Sequence, residues 1–295
     1  MDFDNLLKEK TEEINGIVLS FMPKEDGKLK TITDSINYSI DAPGKRIRPL
    51  LMYETYKLLG GRDEIIKPFM AAIEMIHTYS LIHDDLPAMD NDDYRRGRKT
   101  NHIVFGEDIA ILAGDALLNL AFETVLKASL TADNKDLCIK AMNILATKAG
   151  IYGMIGGQTI DVKSEGQKID IDTVLTIHNL KTAALIEASM MVGAVLAGAD
   201  DDAVGRIEQA AKCVGLAFQI QDDILDVTGD EKSLGKPVLS DEKNEKYTYV
   251  TLKGLETAKE DVKIYSDKAM SVIDGFEGDT EFLKALFKKL IDRKK

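Results

Sequence analysis

Two aspartate-rich segments are the residues whose types and spacing most directly indicate chemistry. The first aspartate motif, IHDDLPAMD, spans residues 82–90, and the second aspartate motif, QDDILD, spans residues 221–226. Each follows an apolar run, and two like-charged clusters on separate helices would repel each other unless a cation lay between them. The repeated pattern therefore predicts a shared metal site.

The second aspartate motif has the spacing of a helix face that carries two carboxylates. Asp222 and Asp226 are four residues apart and project from one face of a helix, whereas Asp223 is turned away from them. The motif therefore predicts a carboxylate pair at the C-terminal end of an apolar helix.

The first aspartate motif needs a break in its helix to bring its carboxylates together. Asp84, Asp85 and Asp90 do not share a face on a straight helix. Pro87 removes a backbone donor and ends or kinks the helix. We therefore expect the chain to fold back after Pro87 and to carry Asp90 toward Asp84.

Oxygen-only clusters of this kind select hard cations. Mg²⁺ is usually held by one or two carboxylates, several waters and the phosphate oxygens of a substrate. An EF-hand is excluded because the run from Asp90 has Arg95 where that loop needs glycine and Asn101 where it needs glutamate. The two motifs therefore predict Mg²⁺ and a phosphorylated ligand.

Positive charge is concentrated at a few places in this acidic chain. These are the loop GKRIRP with Lys45, Arg46 and Arg48, the pair Arg95–Arg96, and the later residues Lys181, Lys236 and Lys246. Arginine binds phosphate oxygens in a bidentate manner, and lysine acts as a movable point charge. A nearby diphosphate could also recruit His77 as a donor, although a lone histidine on a helix is usually structural.

Composition limits the remaining classes of function. The 295 residues carry a net charge of −12, and the pI near 4.9 argues against an unaided nucleic-acid or anionic-membrane binder. The two cysteines cannot form a disulfide framework, and the acidic N-terminus does not resemble an export signal, so we expect a cytoplasmic protein. The longest uncharged apolar stretch, residues 188–199, is too short to span a bilayer and predicts a buried core helix.

The elements that must position these residues are predicted to be helices. Apolar residues recur at helical spacing before the first motif, after it, and again further on; they are Ile65, Phe69, Ala72, Ile73, Ile76, then Leu112, Leu117, Leu120, Phe122, then Ile144, Ile151 and Ile155. Strand-like alternation is scarce, and no proline lies between Pro87 and Pro237. We therefore expect one all-α domain of long helices over residues 1–295.

These motifs resemble the trans-isoprenyl diphosphate synthases, and within them the bacterial type that makes farnesyl diphosphate. The matching segments run from Asp84 to His102 and from Phe218 to Asp226, with GKRIRP at 44–49, AGDALL at 113–118, GGQTIDV at 156–162, HNLKTAAL at 178–185 and GDEKSLGKP at 229–237. They occur in the order of the family and cover essentially the whole chain.

The resemblance implies the isoprenoid synthase fold, an all-α bundle around a deep central cavity, and a homodimer. It implies three Mg²⁺ ions that bridge an allylic diphosphate, with ligation or support from Asp84, Asp85, Asp90, Asp222, Asp223 and Asp226. The residues implied for isopentenyl diphosphate are Lys45, Arg48, His77 and Arg96. Those implied for the allylic diphosphate are Arg95, Lys181, Lys236 and Lys246, with Thr182 and Gln219 beside the reacting carbons.

Product length depends, in this family, on the residues four and five places before the first aspartate. Here these are Ser80 and Tyr79. Five residues are about 7.5 Å along a helix, so the Tyr79 ring could block a growing chain soon after it passes the metal site. The pattern resembles that of farnesyl (C15) synthases. A geranylgeranyl (C20) product is the alternative, and packing of Tyr79 in the core is the simpler interpretation of its role.

Other classes remain to be weighed. His83–Asp84 matches the HD pair of metal-dependent phosphohydrolases, but few histidines are left to complete that site and it does not explain the second aspartate motif. A terpene cyclase shares the first motif but differs in the second. A catalytically silent subunit of a heteromeric prenyl synthase tends to lack one motif, whereas this chain has both.

Overall fold

The computed structural model describes residues 2–24, 27–228 and 247–292. These residues are almost entirely helical, as predicted, apart from one short antiparallel hairpin. The chain divides into two compact units. Unit 1 comprises residues 1–53 and 62–142, and unit 2 comprises residues 54–61 and 143–295. A single domain over 1–295 stays a prediction.

Unit 1 is built mainly from the N-terminal helices. Its elements are α1 (Phe3–Ser20), a 3₁₀ turn (Gly27–Leu29), α2 (Lys30–Ile40), the first part of α3 (Ile47–Leu58), α4 (Ile66–Asp84), β1 (Tyr94–Arg95), β2 (Arg98–Lys99), α5 (Asn101–Phe105), α6 (Glu107–Thr131) and the first part of α7 (Lys135–Ala149). Helix α4 packs against α6, and α1 and α2 also contact it.

Helix α4 forms the centre of unit 1. Phe69, Ala72, Ile73 and Ile76 are all buried, which confirms the periodicity predicted before the first aspartate motif. Most other residues of the helix are buried as well, because neighbouring helices cover it on several sides. A helix packed in this way holds its C-terminal end, where the motif begins, in a fixed place.

Unit 2 contains the remaining helices. Its elements are the ends of α3 and α7, α8 (Met154–Ser164), α9 (Ile171–Ile177), a π turn (His178–Ala183), α10 (Ala184–Leu196), α11 (Asp201–Thr228), α12 (Tyr249–Lys253), α13 (Leu255–Asp274) and α14 (Glu281–Ile291). Helix α11 packs against α10, the π turn and α13.

Helix α10 is the most deeply buried element of unit 2. Every one of its residues is buried, which confirms the core helix predicted from the apolar stretch at 188–199. Of the apolar residues that recur at helical spacing further along the chain, Ile144 lies in α7 and Ile155 in α8, whereas Ile151 lies between the two helices. The chain turns at 150–153 between α7 and α8, and Ile151 and Ile155 are exposed.

Candidate active site

The first aspartate motif folds back on itself at the end of α4. The helix ends at Asp84, Pro87 lies in the turn that follows, and the backbone N–H of Asp90 donates to the carbonyl of Asp84 at 2.8 Å. This confirms that the chain carries Asp90 back toward Asp84. The two residues can therefore offer carboxylate oxygens from adjacent backbone positions.

A hairpin immediately after the motif orients two predicted cations. Tyr94 pairs with Lys99 and Arg95 with Arg98, and the two turn residues Arg96 and Gly97 both have positive φ, as a type I′ turn requires. Arg95 thereby lies in a strand, while Arg96 lies at the tip.

Arg95 is engaged by the motif itself. Its Nε donates to Asp85 Oδ1 at 2.6 Å, and its Nη2 lies 3.7 Å from Asp92 Oδ2. Asp85 is only 4% exposed, and burial raises the pKa of its carboxyl while Arg95 opposes that shift. Asp85 therefore serves in this structure as the partner of Arg95, and Asp84 and Asp90, which the fold-back brings together, stay candidates for metal ligation.

Three of the residues predicted for isopentenyl diphosphate interact electrostatically in unit 1. Burial lowers the pKa of Arg48 to about 10, Glu74 opposes that shift, and Arg96 adds to it. Loss of water around His77, followed by the charges of Arg48 and Arg96, lowers the pKa of His77 well below its usual range, so its ring is neutral at neutral pH. Arg48 Nε is buried without a hydrogen-bond partner among the described residues.

Lys45, the fourth predicted residue, is exposed in the loop just before Arg48. The loop thus offers one exposed lysine and one half-buried arginine within four residues. Such an arrangement suits a polyphosphate that is partly in contact with solvent.

The two predicted chain-length residues differ in their surroundings. Tyr79 is buried, its ring meets that of His83 edge to face with the centroids 5.8 Å apart, and its hydroxyl has no partner among the described residues. Burial first, and then the charge of Asp84, raise the pKa of Tyr79 to about 12. Ser80 donates its hydroxyl to the carbonyl of His77 at 2.9 Å, within its own helix.

The second aspartate motif lies near the C-terminal end of α11 in unit 2. Asp222 and Asp226 are one helical turn apart and partly exposed. Asp223 is 6% exposed, accepts the backbone N–H of Tyr249 at 2.8 Å, and lies 3.5 Å from His178 Nε2. Asp223 is thus bound by protein donors, and the partly exposed Asp222 and Asp226 stay candidate ligands.

Next to this motif, the π turn places two predicted catalytic residues. Lys181 Nζ contacts Asp161 Oδ2 at 2.5 Å, and the Thr182 hydroxyl donates to Gln219 Oε1 at 2.8 Å. π-Helical turns are rare and frequently occur at functional sites. Helix α8 approaches this turn closely at Gly157, where a methyl group would lie 2.2 Å from the backbone nitrogen of Lys181.

Two contributors to unit 2 were not predicted. Asp161, the partner of Lys181, belongs to the GGQTIDV segment, and His178, whose pKa burial lowers to about 4, begins the HNLKTAAL segment. Their place in those segments was the available signal. Lys236 and Lys246, predicted for the allylic diphosphate, lie outside the described residues.

The available side chains fit Mg²⁺ as a substrate-associated ion. In the described ranges no three His, Cys, Asp or Glu side chains group closely enough to form a metal site by themselves. The fold-back at Asp84 and Asp90 and the pair Asp222 and Asp226 each supply oxygen-only donors, and Mg²⁺ is commonly held by one or two carboxylates together with phosphate oxygens.

Comparison with known proteins matches this arrangement to a family. The model of the polyprenyl synthetase family matches residues 29–283. The farnesyl diphosphate synthase of Micrococcus luteus is 42% identical over 297 residues, covering 100% of this chain and 97% of that protein. The geranylgeranyl diphosphate synthase of Cyanophora paradoxa is 44% identical, covering 90% and 92%. The crystal structure of a geranyltransferase from Helicobacter pylori, complexed with magnesium and isoprenyl diphosphate, superposes with a TM-score of 0.83 at 29% identity over 99% of this chain and 97% of that one.

Proposed function

The chain belongs to the polyprenyl synthetase family, and on that basis we propose that it condenses isopentenyl diphosphate with dimethylallyl and geranyl diphosphate to give farnesyl diphosphate and diphosphate. The observation that carries this proposal is in unit 1, where Arg95 pairs with Asp85 of the first aspartate motif and, after Arg48 and Arg96, also lowers the pKa of His77 by its charge. Carboxylates bind a hard cation such as Mg²⁺, and cationic side chains bind an anion such as diphosphate. The two kinds of group side by side therefore suit a magnesium diphosphate.

The predicted roles divide the site by substrate. Isopentenyl diphosphate is assigned to Lys45, Arg48, His77 and Arg96, and the allylic diphosphate to Arg95, Lys181, Lys236 and Lys246. His77 is neutral and donates a ring N–H, whereas the guanidinium groups supply charge. The contact between Lys181 and Asp161 supports this assignment, because it fixes the orientation of the Lys181 side chain.

Asp84 and Asp90 in unit 1, and Asp222 and Asp226 in unit 2, are the carboxylates that would hold Mg²⁺, and the resemblance implies three such ions with the allylic diphosphate. Bound Mg²⁺ neutralises the charge that develops on a departing diphosphate. The residues of the chain orient the reaction: the Thr182 and Gln219 oxygens stabilise the allylic cation by their dipoles, and apolar side chains exclude water. After ionisation and condensation, the released diphosphate takes the final proton.

Release of inorganic diphosphate tests the reaction class. We expect release only when Mg²⁺, isopentenyl diphosphate and an allylic diphosphate are all present, and none after chelation of the metal. Release of phosphate or diphosphate from a single substrate would favour the phosphohydrolase alternative. A protein that turns over neither substrate alone nor both together would favour the silent-subunit alternative.

We propose that Tyr79 limits the product to C15. Tyr79 is buried in α4 one turn before the first aspartate motif, and its ring contacts that of His83. Both observations support a rigid aromatic barrier. We therefore predict that Tyr79→Ala extends the product to C20 or longer, because the side chain that would block the chain is gone. Chain-length analysis checks this, and an unchanged C15 product from Tyr79→Ala would refute the assignment.

A second copy of the chain is the proposed partner. Helix α6 leaves Ile111, Leu112, Leu126 and Leu130 exposed, and Leu130 is 74% exposed. By length and composition alone, residues 107–131 and 171–196 could cross a membrane, but the latter segment is 78% buried within the protein. The acidic residues Glu107, Asp108, Asp115 and Glu123 on α6 favour a protein partner over lipid.

We also propose a cytoplasmic location. Both cysteines, Cys138 and Cys213, are buried free thiols, and the proposed substrates and Mg²⁺ are small soluble species. Buried free thiols are typical of proteins in a reducing compartment.

A further inference from the structure

We propose that Arg46 is a positioning residue for the isopentenyl diphosphate subsite, with Glu74 as its counter-charge. Arg46 belongs to the GKRIRP loop, and its side chain is buried. It fixes Lys45 and Arg48, the cations on either side of it in that loop, and the guanidinium group of Arg96. The inference rests on the proposed function, since it concerns the residues assigned there to that substrate.

The guanidinium group of Arg46 uses four of its five N–H groups to bind protein acceptors. Its Nε donates to Asn15 Oδ1 at 2.9 Å, its Nη1 to Glu74 Oε1 at 2.8 Å, and its Nη2 to the carbonyls of Ile40 and Ala42 at 2.6 and 3.2 Å. Arg46 is 4% exposed and Glu74 is 2% exposed. A side chain held by α1, α4 and the end of α2 leaves no donor fork for a ligand, so it acts on the loop that carries it.

The backbone of Arg46 shows why such an anchor is needed. Its φ of 47° lies in the left-handed region, which is unfavourable for a non-glycine residue. Its carbonyl accepts the N–H of Leu50 at 3.1 Å, which is the first hydrogen bond of α3. Displacement of Arg46 therefore moves both Lys45 and the first turn of α3, where Arg48 lies.

Arg46 also supports Arg96 from another element. A methyl group on Gly44 would lie 2.7 Å from Arg96 Nη1 and 3.3 Å from Arg46 Nη1, so both guanidinium groups pass over this glycine. Arginines this close repel one another. The charge of Glu74 opposes that repulsion, and it raises the pKa of both Arg48 and Arg96 against the effect of burial.

Arg46→Lys tests the proposal because it retains the charge and loses the multi-point anchor. We expect the KM for isopentenyl diphosphate to rise about tenfold, with the KM for the allylic substrate and kcat within about twofold of wild type. A merely structural role would reduce the folded fraction, and with it kcat, without changing either KM. Circular dichroism and a thermal melt establish how much of the variant is folded.

Two variants of Glu74 separate its acceptor oxygen from its charge. Glu74→Gln can still accept from Arg46, whereas Glu74→Ala cannot, so we expect Glu74→Ala to raise the KM for isopentenyl diphosphate several-fold more than Glu74→Gln does. Glu187→Gln is the matched control. It disrupts another ion pair, that of the buried Glu187 with the half-buried Lys148 in unit 2, and should leave that KM unchanged.

Calorimetric titration with isopentenyl diphosphate in the absence of an allylic substrate gives a readout that does not need turnover. We expect Kd to rise about tenfold in Arg46→Lys and to stay unchanged in Glu187→Gln. An unchanged Kd in folded Arg46→Lys would overturn the inference. If that variant does not fold, wild-type affinity in both Glu74 variants would overturn it. Binding by wild type without condensation would instead contradict the proposed function alone.

Discussion

At the scale of the residue, four aspartates carry the proposed metal chemistry. We predict that Asp84→Ala and Asp222→Ala each lower turnover at least about a hundredfold, because the charge of the departing diphosphate loses stabilisation. Diphosphate release checks this. Asp202→Ala, exposed in the first turn of the same α11 helix as Asp222, is the control that should keep full activity. Wild-type turnover in either motif variant would contradict the assignment.

His77 gives a prediction about pH and stability. Its folded-state pKa lies well below 6.5, so as the pH falls below about 6.5 the unfolded chain takes up a proton that the folded protein does not. The free energy of unfolding of wild type should therefore fall by about 1 kcal/mol more than that of His77→Gln between pH 7.5 and 5.5. Denaturant unfolding at both pH values measures the difference, and equal losses would show that the ring is not buried in its neutral form.

Residue types predicted the local course of the backbone better than they predicted tertiary contacts. The fold-back of Asp90 follows from Pro87, a local backbone property, and is confirmed. Asp85 is hydrogen-bonded by Arg95, and Asp223 by the backbone N–H of Tyr249. Both contacts depend on the tertiary fold, which the spacing of residues in the sequence does not reveal. Glu74 was missed for the same reason, since it lies in an apolar helix and its partner is 28 residues away.

At the scale of the element, the close approach of α8 to the π turn is expected to matter. In Gly157→Ala the added methyl group would meet backbone atoms of Leu180 and Lys181, so the turn or α8 must move. We predict a loss of about 1–3 kcal/mol of unfolding free energy and reduced turnover.

A glycine elsewhere in unit 2 provides the control for that change. Gly205 lies in α11 with nothing within 4 Å of an added methyl group, so Gly205→Ala should raise the unfolding free energy by about 0.5–1 kcal/mol. Chemical denaturation of both variants measures the two effects. A stable, fully active Gly157→Ala would show that the close approach is not required.

Long helices were predictable, and short or irregular elements were not. Helices α4 and α10 follow from periodicity or sustained hydrophobicity over many residues. The hairpin at 94–99 has strands of two residues, too short to show alternation, and the π turn differs from an α-helix only in its hydrogen bonding. The break between α7 and α8 escaped prediction because apolar residues continue through it, and Ile151 and Ile155 are exposed there.

At the scale of the whole molecule, the exposed face of α6 predicts self-association. Leu126→Glu combined with Leu130→Glu should convert a dimer into a monomer, because two charges would have to be desolvated in the interface. Sedimentation equilibrium gives the mass. Ile264→Glu is the control, since Ile264 is 60% exposed on α13 outside the proposed interface and its change should leave the dimer intact. A monomeric wild type would contradict the prediction.

The most direct test of the prenyltransferase account is the chain length of the product. Purified protein is incubated with Mg²⁺, isopentenyl diphosphate and either dimethylallyl or geranyl diphosphate, and the products are separated by length. We predict mainly the C15 product from both allylic substrates. Mainly C20 or longer product would contradict the role of Tyr79 and the farnesyl assignment, and no condensation with either substrate would contradict the central claim.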